Sequence, residues 1–434
     1  MKLNQIKISK LYNQFSYYID FLRTESYLTI LTGPNGYGKT TVLQIIDSLS
    51  KGDFFYFYTF PFEKIKLIFN NNSSLEINRI LSQTDESDDE EETIEKITFL
   101  YKDEKENIQN EFVLQIQDII KFLPSSIKRA LDLNYSLSYS ENELHDVLKK
   151  HPEYKIYENI AREQSQEQFL LFVGNFKTFF IPAQRLYFIE KERDYRRYNG
   201  DFYEKKSSID EVVELMKNQL QSKRFEYLRN AQIHDNQFLN KYLSFSGKTY
   251  SKDEFINESE KLQMIIDELY SYKLIDKIVL LKYEQQHEKI LSVYLDDLKE
   301  KLNFYTDFLS SLRIFSEILK EKMFTNKTIS FSPEYGILAE LANGKEVNLN
   351  SLSSGEKNEI IMLYHLIFDI RDSSVLLIDE PEISLHVAWQ LDFLNDIEKI
   401  LEKKRIQVII ATHSPQIITD KWDYCFDFYA NSNK

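Results

Sequence analysis

The sequence predicts an α/β fold in which one largely parallel sheet is assembled from both ends of the chain, and three observations carry that expectation. Residues 27–31 form an apolar run that feeds the glycine-rich segment Gly33-Pro34-Asn35-Gly36-Tyr37-Gly38-Lys39-Thr40, which opens a helix expected over 39–49. The last hundred residues return to the same grammar, with a helix over 353–369, a buried strand over 374–378, a helix over 387–401 and a second buried strand over 407–411. Between the two, no proline interrupts the chain from Pro182 to Pro333, so long helices are permitted there.

Taken in order, residues 5–8 alternate polar and apolar as a strand does. Runs at 65–69, 97–101 and 112–114 alternate in the same way and predict an antiparallel β-rich lobe. They are interrupted by the acidic block 85–92, expected to be a solvated loop. Ile209, Val212, Val213, Met216 and Leu220 share one face of a helix, as do Leu262, Ile265, Ile266 and Leu269. Leu291, Leu295, Leu298, Leu302, Tyr305, Leu309 and Leu312 alternate steps of four and three, the period of a coiled coil, although an ordinary bundle core fits the same spacing. The expected division is an N-terminal part over 1–190, a helical insertion over 191–325 and a C-terminal part over 326–434, the outer two forming one α/β body.

Composition limits what this chain can be. With 42% hydrophobic and 28% charged residues it reads as globular, and no apolar run approaches the ~20 residues of a spanning helix. No signal-peptide core begins it, and a single cysteine, Cys425, allows no internal disulfide, so a cytoplasmic setting is expected. The 7 histidines show no zinc-ligand spacing. A net charge of −15 disfavours adhesion to nucleic acid over the whole surface, so any such contact is expected to be focused on a local groove.

The glycine-rich segment fits the phosphate-loop pattern G-x-x-x-x-G-K-[ST] in the strand-to-helix context that gives the pattern meaning. Its glycines free backbone N–H groups to turn toward phosphate oxygens, and the helix N-terminus adds partial positive charge. ATP is therefore the expected ligand, held by Gly33 through Thr41. Lys39 is expected on the β- and γ-phosphates and Thr40 on Mg²⁺. Val375-Leu376-Leu377-Ile378-Asp379-Glu380 is a buried-strand run that ends in two acids. In a phosphate-loop protein Asp379 is expected to hold Mg²⁺, and Glu380 to act as general base on the attacking water.

Two further segments complete the pattern. Leu352-Ser353-Ser354-Gly355-Glu356-Lys357 places serines where they can cap a helix whose apolar stripe is Ile360, Leu363, Tyr364 and Ile367. Ala411-Thr412-His413-Ser414-Pro415 follows the last buried strand. The order of phosphate loop, Leu-Ser-Ser-Gly-Glu, aliphatic-Asp-Glu and strand-end histidine resembles that of the ABC-type ATPases. The Ser-Ser-Gly-Glu and Asp-Glu-Pro-Glu variants resemble the branch containing chromosome-maintenance heads, recombination ATPases and the overcoming-lysogenization-defect ATPases. Within that branch the chain is most similar to the ATPase subunits of Septu-type antiphage systems.

The resemblance implies an ABC-ATPase head with an inserted helical arm, and dimers or higher oligomers formed head to tail. ATP on one copy would meet Ser353, Ser354, Gly355 and Glu356 of another, and His413 would touch the γ-phosphate. His386 lies where the family's dimer-crossing loop is expected, in a segment that departs from the usual Ser-Ala-Leu-Asp. Phe180-Ile181-Pro182-Ala183-Gln184-Arg185 looks like the family's glutamine-containing connection, which makes Gln184 the candidate sensor of Mg²⁺ and water, with Arg185 as the alternative. Residues 191–198 interleave basic, acidic and aromatic side chains and read as a solvated helix more than as a nucleic-acid contact. Only 21 residues follow His413, too few for the Toprim nuclease of some relatives. Any nuclease activity is therefore expected on a partner subunit, with the ATPase regulating it in antiviral defence. Competing readings are a nucleotide-gated scaffold with little turnover and a DNA-repair head; a transporter ATPase fits least, because the signature reads Ser-Gly-Glu.

Overall fold

In β1 (Leu3–Leu11) the apolar residues Leu3, Ile6, Ile8 and Leu11 are buried, and the pleat turns Lys7 outward. This strand belongs to a computed structural model that describes residues 1–22, 27–83, 93–115, 174–192, 202–322, 327–341, 343–370, 374–401 and 406–432. The acidic block 85–92 lies outside the described residues, and of the run 191–198 only Lys191 and Glu192 lie within them. The chain divides into two compact units, one of residues 1–183 with 370–434 and one of residues 184–369.

The first unit holds two sheets. One is antiparallel in the order β2-β1-β4-β5-β6-β7, with β2 (Phe15–Asp20), β4 (Lys64–Phe69), β5 (Ser74–Gln83), β6 (Thr93–Lys102) and β7 (Ile108–Gln115). The expected β-rich lobe is present. Strands β2 and β5 went unforeseen because their outer faces carry the polar residues Ser16, Glu76 and Asn78, which weaken the apolar signal. The other sheet is wholly parallel in the order β16-β3-β15-β14-β8, with β3 (Leu28–Thr32), β8 (Lys177–Ile181), β14 (Ser374–Asp379), β15 (Gln407–Ala411) and β16 (Cys425–Asp427). Every residue of β15 is buried, as are Val375 to Asp379 of β14, which suits a sheet covered on both faces. The sheet therefore joins segments from both ends of the chain, as expected.

Helix α1 (Lys39–Lys51) buries Val42, Leu43, Ile45, Ile46 and Leu49. Side chains tie it to β8: Thr178 donates to Asp47 Oδ1 at 2.8 Å, and Ser50 Oγ donates to the Phe176 carbonyl at 2.8 Å. The two sheets are clasped by the buried Gln407 amide, which accepts from Leu3 N at 2.9 Å and donates to Leu3 O at 2.7 Å. A single side chain thus replaces a missing ladder partner.

The second unit opens with the antiparallel pair β9 (Tyr187–Glu192) and β10 (Phe202–Ser207), followed by α2 (Ser208–Ser244), α3 (Lys252–Ser271), α4 (Glu288–Asn303) and α5 (Thr306–Lys322). The stripe Ile209, Val212, Met216 and Leu220 is buried as the spacing requires. The four-and-three pattern of Leu291 to Leu312 does not form one helix. It is broken at Phe304 and Tyr305, where Tyr305 N bonds Leu302 O at 2.9 Å, yet its members stay buried on α4 and α5 alike. Spacing reports burial and is silent about a two-residue break. Asp297 of α4 is buried beneath Lys241 and Lys301, at 2.9 and 2.7 Å.

After β11 (Lys327–Ser332), β12 (Gly336–Leu341) and β13 (Glu346–Val347), helix α6 (Ser354–Tyr364) runs into a π-helical turn at His365–Asp369. Residues 327–341 and 343–369 fall in the same compact unit as these helices. The cause is close approach to α2: a Cβ on Gly336, at φ +74°, would lie 2.2 Å from the Val213 carbonyl, and Gln221 donates to Pro333 O at 2.7 Å.

On the antiparallel sheet, Glu76 is buried among Lys64, Lys66 and Lys102, at 2.9, 2.9 and 3.0 Å. Burial alone would raise its pKa, but hydrogen bonds from the three ammonium groups hold it down to about 2. Because the folded value lies below the unfolded one, this contribution is present above the ordinary carboxylate range and is lost as pH falls toward 2. Glu76→Gln is expected to destabilise the protein by about 2 kcal/mol at pH 7, measured by urea unfolding, with the difference shrinking at acid pH. Equal loss at pH 7 and pH 2.5 would show that the charge of Glu76 is immaterial.

Candidate active site

In an α/β sheet, the carboxyl ends of the strands are where loops gather and ligands bind. Here β3, β14 and β15 end side by side, with Leu31 opposite Ala411 and Ala411 opposite Asp379. A cleft of about 470 Å³ lies there, lined by Tyr12, Asn35, Gly36, Gly38, Lys39, Thr40, Thr41, Glu380 and His413. Asn35, Gly36, Gly38, Lys39, Thr40, Thr41, Glu380 and His413, all singled out from the sequence, thus meet in one place.

The loop from Gly33 to Gly38 needs its glycines. Gly33 has φ +135°, and a Cβ there would press on the Phe428 Cβ at 3.1 Å; Gly38 has φ +90°, and a Cβ would lie 2.7 Å from Leu11 Cδ2. Lys39 is turned back onto the loop, with Nζ donating to the carbonyls of Gly33 at 2.9 Å and Pro34 at 3.0 Å. Burial lowers the Lys39 pKa, opposed by Glu380, Asp379 and Glu382. Among the described residues the ammonium bonds these two carbonyls and forms no ion pair within 4.0 Å.

Thr40 Oγ1 donates to Asp379 Oδ1 at 3.1 Å across 339 positions of sequence. Burial raises the Asp379 pKa to about 6; the Thr40 hydrogen bond and Lys39 oppose this, and Glu380 and Glu382 reinforce it. Two hard oxygens held together, one belonging to a buried carboxylate short of positive charge, fit Mg²⁺. Glu380 follows with φ +42°, its N–H bonded to Ala411 O at 2.8 Å, and its carboxylate stands 3.9 Å from His413 Nε2. Burial and Lys39 hold the His413 pKa below the usual imidazole range, against the pull of Glu380 and Glu382.

Sequence reasoning missed three residues here. Tyr12, at φ +54° in the β1–β2 turn, meets Thr41 Oγ1 through its hydroxyl at 2.7 Å. Tyr17 donates to the Tyr37 carbonyl at 2.9 Å and so steadies the loop from outside. Glu382 receives Thr412 Oγ1 and His413 N at 2.8 and 2.7 Å. Only Glu382 carried a sequence signal, as the last acid of Asp-Glu-Pro-Glu.

The signature segment and Gln184 belong to the second unit, so the cleft as described forms without them. Ser353 is the N-cap of α6, accepting from Glu356 N at 3.2 Å, and Glu356 accepts from Ser353 N at 2.8 Å. Glu356 also pairs with Lys327 at 2.7 Å and is buried, so its carboxylate serves the cap, while Ser353 and Ser354 are exposed at the helix start. Gln184 is exposed three residues beyond β8, Arg185 is buried, and His386 is exposed, with Nδ1 accepting from Ala388 N at 3.3 Å.

The raised Asp379 pKa sets a pH test. A group whose folded pKa exceeds its unfolded value contributes stability below the unfolded value, and that contribution is lost as pH rises through about 6. Asp379→Asn is therefore expected to raise the melting temperature of the nucleotide-free, metal-free protein at pH 8 and to leave it nearly unchanged at pH 4. A variant less stable than wild type at pH 8 would mean that the carboxylate is held by interactions stronger than its desolvation.

A family described as an AAA ATPase domain matches residues 1–418. "Retron Vc95 probable ATPase" of Vibrio cholerae serotype O1 biovar El Tor is 23% identical over 428 residues, covering 94% of this chain and 70% of its own. "Retron Ec83 probable ATPase" of Escherichia coli is 28% identical over 150 residues, covering 31% of this chain and 26% of its own. Among solved structures, the Smc head domain of Pyrococcus furiosus with an extended coiled coil, bound to the C-terminal domain of ScpA, is 13% identical with a TM-score of 0.34, over 96% of this chain and 91% of that one. The SMC head domain from Thermotoga maritima is 11% identical with a TM-score of 0.30, over 96% and 91%. At such TM-scores the fold description rests on the strand order itself. The family match spans nearly the whole sequence, and the chain belongs to the AAA ATPase domain family.

Proposed function

We propose that this chain binds ATP with Mg²⁺ in the cleft between α1 and the ends of β14 and β15, hydrolyses it, and passes its nucleotide state to a separate effector. The observation that carries the reading is the convergence of Lys39, Thr40, Glu380 and His413 on one cleft, with Asp379 bonded to Thr40. Backbone N–H groups of Gly33 to Thr41 would cradle the phosphates, and Lys39 would exchange two loop carbonyls for β- and γ-phosphate oxygens. Thr40 and Asp379 would hold the metal, whose charge offsets that building on the phosphoryl oxygens. Glu380 would polarise the attacking water, and His413, held neutral near pH 7, would donate a hydrogen bond to the γ-phosphate.

The cleft is open, and Ser353 and Ser354 are exposed at the start of α6. Both facts favour a head-to-tail dimer in which Ser353, Ser354 and Gly355 of one copy close over ATP on the other. Gln184 is proposed as the sensor of metal and water. The Septu-like motif order and the retron names of the two relatives favour a nuclease effector in antiphage defence, in the cytoplasm.

Glu380→Gln is expected to bind ATP with near wild-type affinity, accumulate as a dimer in gel filtration with ATP, and lose turnover by about 100-fold. Wild-type turnover in that variant would remove Glu380 from its role, and wild-type turnover no higher than the variant's would favour a scaffold. Composite sites have a separate test. Lys39→Ala and Ser354→Arg are each expected to be inactive alone, whereas an equimolar mixture regains about a quarter of wild-type activity, because half the dimers carry one intact site of two. No recovery on mixing would sink the head-to-tail arrangement.

A further inference from the structure

Glu382 stands two residues beyond Glu380, in the turn that follows β14, and does not line the cleft. Its carboxylate is committed on both oxygens. Oε1 accepts the backbone N–H of His413 at 2.7 Å, and Oε2 accepts the Thr412 hydroxyl at 2.8 Å. Thr412 is fully buried, and its Oγ1 in turn accepts from Ser414 N at 3.0 Å. Ser414 Oγ, shared with Gln416 Oε1 at 2.9 Å, reaches Gln390 Oε1 at 2.6 Å, and Gln390 Nε2 donates to the Leu385 carbonyl at 3.1 Å. A continuous chain of hydrogen bonds therefore runs from the turn after β14, through the turn after β15, to the turn that bears His386.

A carboxylate offers lone pairs in fixed directions, and its hydrogen bonds to N–H and O–H are stronger than those of a neutral acceptor. Here those directions fix the His413 backbone against the turn that carries Glu380. The backbone adds one link of its own, Glu380 N to Ala411 O at 2.8 Å, at the base of both turns. The 3.9 Å separation of Glu380 Oε1 and His413 Nε2 lies between the two turns that these bonds join. Two reacting groups on different strands need such a brace, because a shift of about 1 Å in a catalytic group is enough to cost two orders of magnitude in rate.

We infer that Glu382 is a positioning residue for hydrolysis: it locks the His413 turn to the Glu380 turn, and through Thr412, Ser414 and Gln390 it ties both to the turn of His386. The inference rests on the roles proposed above for Glu380 and His413. It assigns to Glu382 no contact with nucleotide, metal or water.

The test is steady-state ATP turnover of the full chain, with ATP affinity measured separately by equilibrium binding. Glu382→Ala is expected to lower kcat about 50-fold while changing KM and Kd for ATP by less than about threefold. Glu382→Gln keeps an acceptor for His413 N–H and can donate to Thr412 Oγ1, so it is expected to recover to within about tenfold of wild type. Thr412→Val removes the other half of the same link, and the double variant Glu382→Ala/Thr412→Val is expected to be no slower than Glu382→Ala alone, because coupled groups do not add. Wild-type kcat in Glu382→Ala, a Glu382→Gln variant no better than the alanine, or additive losses in the double variant would each overturn the inference. Failure of the underlying site reading looks different: Glu380→Gln would then turn over normally, whatever Glu382→Ala does.

Discussion

The parallel pairing of β3, β15 and β14 is the constraint on which the rest of this molecule depends. It brings the end of β3, from the start of the chain, beside the ends of β14 and β15, from its last part, at one edge of one sheet. The phosphate loop, Glu380 and His413 each sit one or two residues past such an end, and Asp379 is the last residue of β14. Their distances are therefore fixed by strand register, which is set by the buried apolar runs of β14 and β15. Sliding β14 by one residue would move Asp379 off Thr40 and turn its side chains to the opposite face.

Around that edge, the polar contacts fall into two groups. Thr40 with Asp379 and Lys39 with the loop carbonyls are arrangements that a metal and a polyphosphate would replace, and burial has left both charges uncomfortable, Asp379 raised and Lys39 lowered in pKa. Perturbed groups of this kind gather at functional sites. The Tyr17 hydroxyl on the Tyr37 carbonyl is instead matched, and it steadies the loop from outside.

The division of the chain bears on how such a protein could work. The phosphate loop and the acidic pair belong to one compact unit, and the capped serine segment to the other. In the proposed head-to-tail arrangement a site completed by a second copy would draw on both kinds of unit at once, and nucleotide binding and assembly would become one event. Head closure would then be a linkage between ATP and oligomerisation, and its strength would be set by how much better the closed pair binds the γ-phosphate than the open one.

Much of this was legible in the sequence. The phosphate loop, the aliphatic run ending in Asp379 and Glu380, the Ser353 cap and His413 announce themselves, because each needs particular residue types at short, fixed spacing. The strands over 407–411 and the helix over 387–401 were read to the residue, since apolar periodicity reports burial directly. What only the tertiary structure decided are relations across long separations and small backbone departures. Among these are the break at Phe304 that divides a coiled-coil-like pattern between two helices, the close approach of Gly336 to α2 within the helical unit, and the meeting of Tyr12 with Thr41. The paired hydrogen bonds of Glu382 belong with them. Local spacing records which face of an element is buried and which loop needs glycine; it does not record which distant element supplies the partner, and that is decided by the packing of the whole chain.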